Sequence, residues 1–446
     1  MGGKVLNLQS PASSRSSTAV LPLPPPGVAW LIWCFAAIFY LGVFILRAAP
    51  AVMTTELMRD FHIGAASLGN LSAFYFYAYV VMQIPAGVLT GPLGARRLLT
   101  AGAFTAALGT FLFGSTGSFV LACIGRAILG GATAVALLVV LRLAAHWFPG
   151  KRFGTMSGIG LFFGNMGAVI AQIPLRAAIE SFSWRQTVLG LAVIGFLFGV
   201  LAWLLVRDDP SEMGYRSYAP PSLQEKTTLA AAFRSLGGVF SNRNTWLILI
   251  AQGGLAGTIL TFTGLWGAPF LKARYGLNPR EAAGIATVML VAFAFGCPFF
   301  GALSDKLGRR KPAYLAGAVV VAAGWLSMFY VDGLSLSAYT VLAGITGFAS
   351  GCFIIGFPYG RESAPGKYMG AMTGAVNMGN MLGVVVLQPG IGMVLDAHWD
   401  GRLVSGAHVY SVGAYHLGFL LLAGWAVLSA VLIAFTRETY CTPLGE

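Results

Sequence analysis

Twelve stretches of about 20 residues, almost free of charge, run along this sequence, with short polar segments between them. A bilayer core about 30 Å thick needs about 20 apolar residues in a helix to span it. Soluble domains are roughly half apolar and a quarter charged, whereas this chain is 57% apolar and only 10% charged. The pattern therefore predicts an all-α membrane protein with twelve transmembrane helices.

The predicted spans form two sets of six on either side of the longest polar stretch. That stretch, 207–243, has mixed charge and several prolines, which is typical of a linker. The predicted organisation is a disordered cytoplasmic N-terminal tail at 1–27, an N-terminal six-helix half at 28–206, a cytoplasmic linker at 207–243, a C-terminal six-helix half at 244–436 and a cytoplasmic tail at 437–446. The spans are placed at 28–51, 65–89, 96–115, 118–143, 153–179, 185–206, 245–271, 281–303, 312–331, 335–358, 368–395 and 410–436.

The basic residues predict the orientation of the chain in the bilayer. With the N-terminus inside, the cytoplasmic side receives 18 of the 28 Lys and Arg residues, the outer side receives 7, and 3 lie within spans. Cytoplasmic loops carry such an excess of Lys and Arg, so both termini are expected in the cytoplasm. The same rule explains the net charge of +13, and no nucleic-acid partner is expected.

The two halves repeat one another in sequence. Gly87-Val88-Leu89 returns as Gly301-Ala302-Leu303 after 214 residues, and Pro149-Gly150-Lys151 returns unchanged as Pro365-Gly366-Lys367 after 216 residues. Parallel six-helix repeats are a known transporter design, in which the substrate site lies between the halves near the middle of the membrane.

Three motifs carry a resemblance to a known family. Arg126 precedes Gly130 by four residues, and Trp147-Phe148-Pro149 follows span four. The loop after span eight fits the spacing Gly-x-Leu-x-Asp-x-x-Gly-Arg-Arg with Gly301, Leu303, Asp305, Gly308, Arg309 and Arg310. Over nearly the whole chain, the sequence resembles the major facilitator superfamily (MFS). The resemblance implies a bacterial inner-membrane protein that works by alternating access.

The equivalent loop of the first half departs from the family pattern. Gly91 stands where the family has an acid, and Ala95 replaces a basic residue. In the family that carboxylate helps to close the cytoplasmic side, so its loss predicts a weaker inner gate unless contacts through Arg96 and Arg97 replace it. The residues predicted to act in gating are Gly91, Arg96, Arg97, Arg142, Asp305, Arg309 and Arg310.

Three arginines lie inside predicted spans, and no carboxylate lies well inside one. Charge within a bilayer is costly and marks function, and an unpaired guanidinium suits a carboxylate or phosphate ligand. Arg47 is the strongest candidate, about 10 Å outward from the middle of span one, and Tyr40 shares its face. The alternatives are that Arg47 reaches the outer headgroups or pairs with Glu56. Arg126 either contacts substrate or belongs to a structural network, and Arg142 is expected at a gate.

Polar and aromatic stripes at helical spacing predict the walls of a cavity. Gln172 on span five, Thr263 on span seven and Gln388 on span eleven belong to these stripes. Amides suit a polar solute because they both donate and accept hydrogen bonds; the alternative is hydrogen bonding between helices, at about 0.6 kcal/mol each. The residues predicted to bind substrate are Arg47, Arg126, Tyr40, Tyr75, Tyr79, Asn165, Gln252, Trp266, Asn377 and Asn380.

These features predict a transporter of a small polar or anionic organic solute, such as an organic acid, an amino acid or a short peptide. The alternatives are efflux of a drug or metallophore, and a sensor or assembly partner of the same fold that does not transport. No nucleophile–base pair indicates an enzyme, and five isolated cysteines give no metal or disulfide pattern. We therefore expect no cofactor or metal. The protein is also expected to be a monomer.

The coupling mode is left open by the sequence. The five histidines fall in loops or at span ends. Without a titratable group deep in a span, facilitated uptake, anion exchange or coupling through a substrate proton are favoured, and proton symport is the remaining possibility.

Overall fold

The computed structural model describes residues 22–149, 152–218, 240–363 and 369–441. The predicted tails and linker therefore lie largely outside the described residues. We use "inner" for the side at which the first helix begins, following the predicted orientation, and "outer" for the opposite side.

The described chain is almost entirely helical. Helices of the first half are α1 Pro26–Ala48, α2 Thr54–Phe61, α3 Ala65–Ser115, α4 Phe119–Thr133, α5 Ala136–Trp147, α6 Phe153–Ile170, α7 Ile173–Phe182 and α8 Trp184–Leu205. Helices of the second half are α9 Arg243–Gln252, α10 Thr258–Thr261, α11 Gly267–Tyr275, α12 Pro279–Leu307, α13 Lys311–Tyr330, α14 Leu336–Ser350, α15 Gly356–Glu362, α16 Met369–Ala397 and α17 Val412–Ala434.

Short elements complete the fold. The 3-10 helices span Ala49–Val52, Pro210–Met213 and Gly351–Ile355, and the π-helical stretches span Gly253–Gly257 and Phe262–Trp266. In the outer loop before α17, strand β1 (Leu403–Val404) pairs antiparallel with β2 (Ala407–His408).

The helices are long enough to make this a multi-pass membrane protein. By length and composition, ten helices of the described chain can cross a membrane, or eleven when α6 and α7 are taken as one bent span. The predicted span 65–89 occupies the first part of α3, which continues through the predicted span 96–115 and breaks only at Gly94, with φ at +77°. The count of twelve spans thus remains a prediction.

Two predicted spans are less regular than their sequence pattern indicated. Span five was expected to be one helix, but α6 and α7 meet at a 41° bend. The spacing of Gln252, Ile259, Thr263 and Trp266 predicts that they share one face of span seven. That expectation stays a prediction, since two π-helical stretches, with their wider turns, interrupt the regular spacing on which it rests.

The two halves meet closely at their outer ends. Asp396, at the end of α16, accepts hydrogen bonds from the backbone N–H groups of Ala65 (2.9 Å) and Ala66 (2.8 Å) at the start of α3. A Cβ added at Gly69 would lie 2.5 Å from the carbonyl oxygen of Gln388, so only glycine allows these helices to pack here. Glu180 of the first half also pairs with Arg280 of the second at 2.6 Å. These contacts close the outer side of the molecule.

Candidate functional site

A small cavity lies between the two halves, beneath the closed outer ends. The space between its lining atoms, counted together with the solvent it opens to, is about 370 Å³. Residues from α1, α3 and α6 of the first half line it together with residues from the seventh, eighth and eleventh predicted spans. The lining consists of Phe44, Arg47, Ala48, Phe76, Ala168, Gln172, Leu260, Thr263, Gly264, Leu290 and Gln388.

Arg47 supplies the charge of this cavity. It is 8% exposed, and its guanidinium carbon lies 4.8 Å from the ring centre of Phe44 and 5.2 Å from that of Phe76. Among the described lining residues Arg47 alone is charged, and within the described chain no carboxylate pairs with it. The predicted alternative partner, Glu56, pairs with Arg176 at 2.6 Å. The site therefore presents a buried cation framed by aromatic rings.

Three tyrosines predicted at the site are buried near the same arginine. Arg47 interacts electrostatically with the hydroxyl groups of Tyr40, Tyr75 and Tyr79. Tyr75 and Tyr79 are stacked with ring centres 6.0 Å apart, and the Tyr75 hydroxyl lies 2.8 Å from that of Thr133. These rings form a buried aromatic layer next to the cavity rather than its surface. Their contact with substrate stays a prediction.

Two glutamines line the cavity, one from each half, and neither was among the residues predicted to bind substrate. Gln172 and Gln388 are each 1% exposed. Gln172 donates from Nε2 to the carbonyl oxygen of Thr263 across the halves at 3.3 Å. Both residues belong to the polar stripes of the sequence. Helical spacing predicts which residues share a face, but it does not predict which residue on that face lines the cavity. Only the fold brings these two amides to one cavity.

Arg126 occupies a different place from Arg47. It is 1% exposed, and it donates to the backbone carbonyl oxygens of Leu46 (2.9 Å) and Ser72 (3.4 Å). Its guanidinium carbon also lies 5.1 Å from the ring centre of Tyr75. These contacts join α1, α3 and α4 and do not reach the cavity lining. The structural network is thus observed, and contact with substrate remains a prediction.

The other predicted site residues are not part of the cavity lining. Gln252 donates to the carbonyl oxygen of Phe353 at 2.9 Å, and Trp266 donates to that of Gln388 at 3.0 Å, so both join helices within the second half. Asn380 is 3% exposed. Asn377 on α16 and Asn165 on α6 are half-buried.

The residues predicted to gate lie at the inner ends of the helices. In the first half, Arg142 donates to the Thr90 carbonyl oxygen, and the Arg96 guanidinium stacks on Trp203 at 4.3 Å. Arg97 is exposed. The surroundings of Gly91 lie outside what the structure describes, so the effect of the missing acid stays a prediction.

In the second half, Arg310 is the centre of the inner cluster. It is 7% exposed and binds Glu362 at 2.7 Å and Asp305. Arg309 points elsewhere, with its guanidinium carbon 5.5 Å from the Tyr440 ring centre.

The fold and the cavity define a class of protein: a membrane transporter built of two similar helical halves around a central site. The sequence profile of the Major Facilitator Superfamily matches residues 32–387 and 255–440. The chain belongs to this superfamily, as its motifs indicated, and it is a solute transporter, not an enzyme.

Curated relatives are similar at low identity over most of the chain. The probable galactarate/D-glucarate transporter GarP of Escherichia coli is 25% identical, covering 83% of this chain and 87% of its own. The hexuronate transporter of Escherichia coli is 26% identical, covering 67% and 73%. The probable sulfoacetate transporter SauU of Cupriavidus necator is 23% identical, covering 89% and 91%.

Solved structures share the fold. A bacterial homologue of the human lysosomal transporter Spinster, in an inward-facing and unoccupied conformation, aligns with a TM-score of 0.76 at 17% identity, covering 94% of this chain and 97% of the other.

Proposed function

We propose that this protein carries a small organic anion across the membrane by alternating access, with the negative group of the anion bound to Arg47. The observation that carries the proposal is the buried, carboxylate-free environment of that guanidinium in a cavity between the halves. A buried cation is costly unless it is paired, and an incoming carboxylate or sulfonate supplies the missing charge.

The lining of the cavity favours a solute with a negatively charged group. Rings of Phe44 and Phe76 cover the guanidinium. The remaining lining combines three polar side chains with five small or aliphatic residues: Gln172, Thr263 and Gln388, and Ala48, Ala168, Leu260, Gly264 and Leu290. The three relatives described above are named for galactarate or D-glucarate, hexuronate and sulfoacetate. All of these solutes carry a carboxylate or sulfonate, which agrees with a single buried arginine as the recognition group.

The test is uptake and binding by the purified protein. We expect proteoliposomes containing it to accumulate at least one labelled anion from a panel of galactarate, D-glucuronate, D-gluconate and sulfoacetate. Arg47→Gln should reduce binding at least tenfold, because it removes the charge while keeping a polar side chain, and Arg47→Lys should recover only part of it since the planar fork is lost. Arg59→Gln is the control, because Arg59 is an exposed outer arginine.

Different results would separate the alternatives. Binding with no flux in either direction would favour a sensor or assembly partner. Flux of cationic or neutral drugs that is unaffected by Arg47→Gln would favour efflux of the drug class. Repeating uptake with and without a pH gradient reports whether protons are coupled.

A further inference from the structure

Gln388 is a buried residue of the cavity lining whose side-chain oxygen has no hydrogen-bond partner. Eleven described side chains contain a buried nitrogen or oxygen atom with no hydrogen-bond partner, including Oε1 of Gln388. Of those eleven, Gln388 is the one that lines the cavity beside Arg47. It is 1% exposed.

The fold holds this amide towards the cavity. The backbone carbonyl oxygen of Gln388 accepts a 3.0 Å hydrogen bond from the indole N–H of Trp266, and Gly69 packs closely against the same backbone carbonyl. Its Nε2 lies 3.6 Å from where a Cβ on Gly264 would be, and Gly264 is itself a lining residue. The backbone is thus fixed, and the side-chain amide lies beside Gly264 in the cavity lining.

The chemistry of the pocket restricts what this amide can bind. An ammonium group would suffer repulsion from the Arg47 guanidinium in a region of low dielectric constant. A hydroxyl group is neutral and both donates and accepts, so it pairs with either end of the amide. A site built to bind a hydroxyl group discriminates strongly against an analogue without it, because the buried polar group is then left unpaired.

We infer that Gln388 determines specificity by accepting a hydrogen bond from a substrate hydroxyl group, so that hydroxylated acids bind in preference to the same carbon skeleton without hydroxyls. This inference rests on the proposed function, since Arg47 must hold the anionic group. It extends that function because it gives the substrate a hydroxyl group beside its anionic group, and it names Gln388 as the residue that binds this hydroxyl.

The experiment compares matched pairs of ligands by competition binding to the full-length protein in detergent. The pairs are galactarate with adipate, D-gluconate with hexanoate, and glycolate with acetate; members of each pair share charge and chain length. We expect the wild type to prefer the hydroxylated member of at least one pair by about tenfold or more. Gln388→Met should reduce that preference about tenfold while leaving the affinity for the unhydroxylated member unchanged.

Controls keep the outcome interpretable. Thr261→Val removes another buried, unpartnered polar atom from the same predicted span as Thr263, but not from the cavity lining, and it should preserve the preference. Gln388→Leu serves if Gln388→Met does not fold.

The inference is overturned if no pair shows a preference in the wild type, or if Gln388→Met weakens both members equally. Arg47→Gln distinguishes failure of the proposed anion site from failure of the hydroxyl assignment. If this variant binds the anions as the wild type does, the proposed anion site itself is wrong. If it abolishes binding while Gln388→Met keeps the preference, only the hydroxyl assignment fails.

Discussion

The inner ends of the two halves have the same backbone plan and different polar chemistry. In the second half, Arg310 binds Glu362, and Thr439 donates to the other Glu362 oxygen at 2.6 Å. Glu438 accepts from the backbone N–H groups of Arg310 (2.9 Å) and Lys311 (3.1 Å) at the start of α13. A buried carboxylate thus pairs with Arg310, and a second carboxylate caps the N-terminus of α13.

The first half reaches a similar arrangement with different side chains. Asp208 accepts from the backbone N–H of Arg96 at 2.6 Å, as Glu438 does for Arg310. His146, at the position that Glu362 takes 216 residues later, lies 2.7 Å from the carboxylate of Asp209. Burial raises the pKa of Asp209, but hydrogen bonds from Ser217, Ser211 and His146 outweigh that effect and lower it to about 2.

The comparison shows which part of the repeat is constrained. The carboxylate that caps the helix N-terminus is present in both halves, because unpaired backbone N–H groups there need an acceptor. The side-chain pair beside it differs between the halves. In the second half, the acid Glu362 pairs with Thr439; in the first half, His146 stands at the position of Glu362 and pairs with an acid, Asp209. Arg96 is the first-half equivalent of Arg310, but Gly91 and His146 stand at the positions of Asp305 and Glu362. The Arg96 guanidinium stacks on Trp203 instead.

The largest expected difference between the halves is in the two equivalent arginines. Arg310→Gln leaves Glu362 buried without its partner and should lower the free energy of unfolding by about 3–5 kcal/mol. Arg96→Gln loses a cation–π contact with Trp203 and an exposed hydrogen bond to its carbonyl oxygen, and it should cost about 1 kcal/mol. Thermal unfolding of both variants in detergent measures this, and equal losses would show that the two ends are energetically alike.

A smaller effect tests the exchange of acid and histidine. His146→Glu places a carboxylate against Asp209 and should cost about 2 kcal/mol by replacing a charge-assisted hydrogen bond with repulsion. Adding Asp209→Thr recreates the Glu362–Thr439 pair and should restore at least half of the loss. A double-mutant cycle with Asp209→Thr alone as the third arm isolates the pair. Additive effects would contradict the proposed equivalence.

The smallest expected effect concerns the acid that the first half lacks. Gly91→Asp gives the loop the family pattern seen at Asp305 and should stabilise the state closed on the inner side by about 0.3–2 kcal/mol. In a cysteine-free background, Asn377→Cys should then be alkylated more slowly by a water-soluble thiol reagent. Gly91→Asn is the uncharged control. An unchanged alkylation rate would mean that Arg96 and its neighbours already close the inner side.

Several elements of the fold followed directly from the sequence. Long apolar runs placed nearly every helix, since helices satisfy their own backbone hydrogen bonds in lipid. The motifs around Asp305 and Arg310 gave the superfamily, which the profile match confirmed. The bend between α6 and α7 and the π-helical stretches around Thr263 escaped prediction, because regular helical spacing contains no sign of a local change in hydrogen-bond register.

The chain alone determined a multi-pass helical transporter with unpaired arginines in its spans, because hydropathy and charge are properties of single segments. Which arginine faces a cavity was decided only by tertiary packing. Arg47 and Arg126 carry the same group at similar depths, yet one is directed into a space between the halves while the other is bound to carbonyl oxygens of neighbouring helices. The meeting of Gln388 with Arg47, 341 residues apart, likewise required the two halves to close on each other at their outer ends.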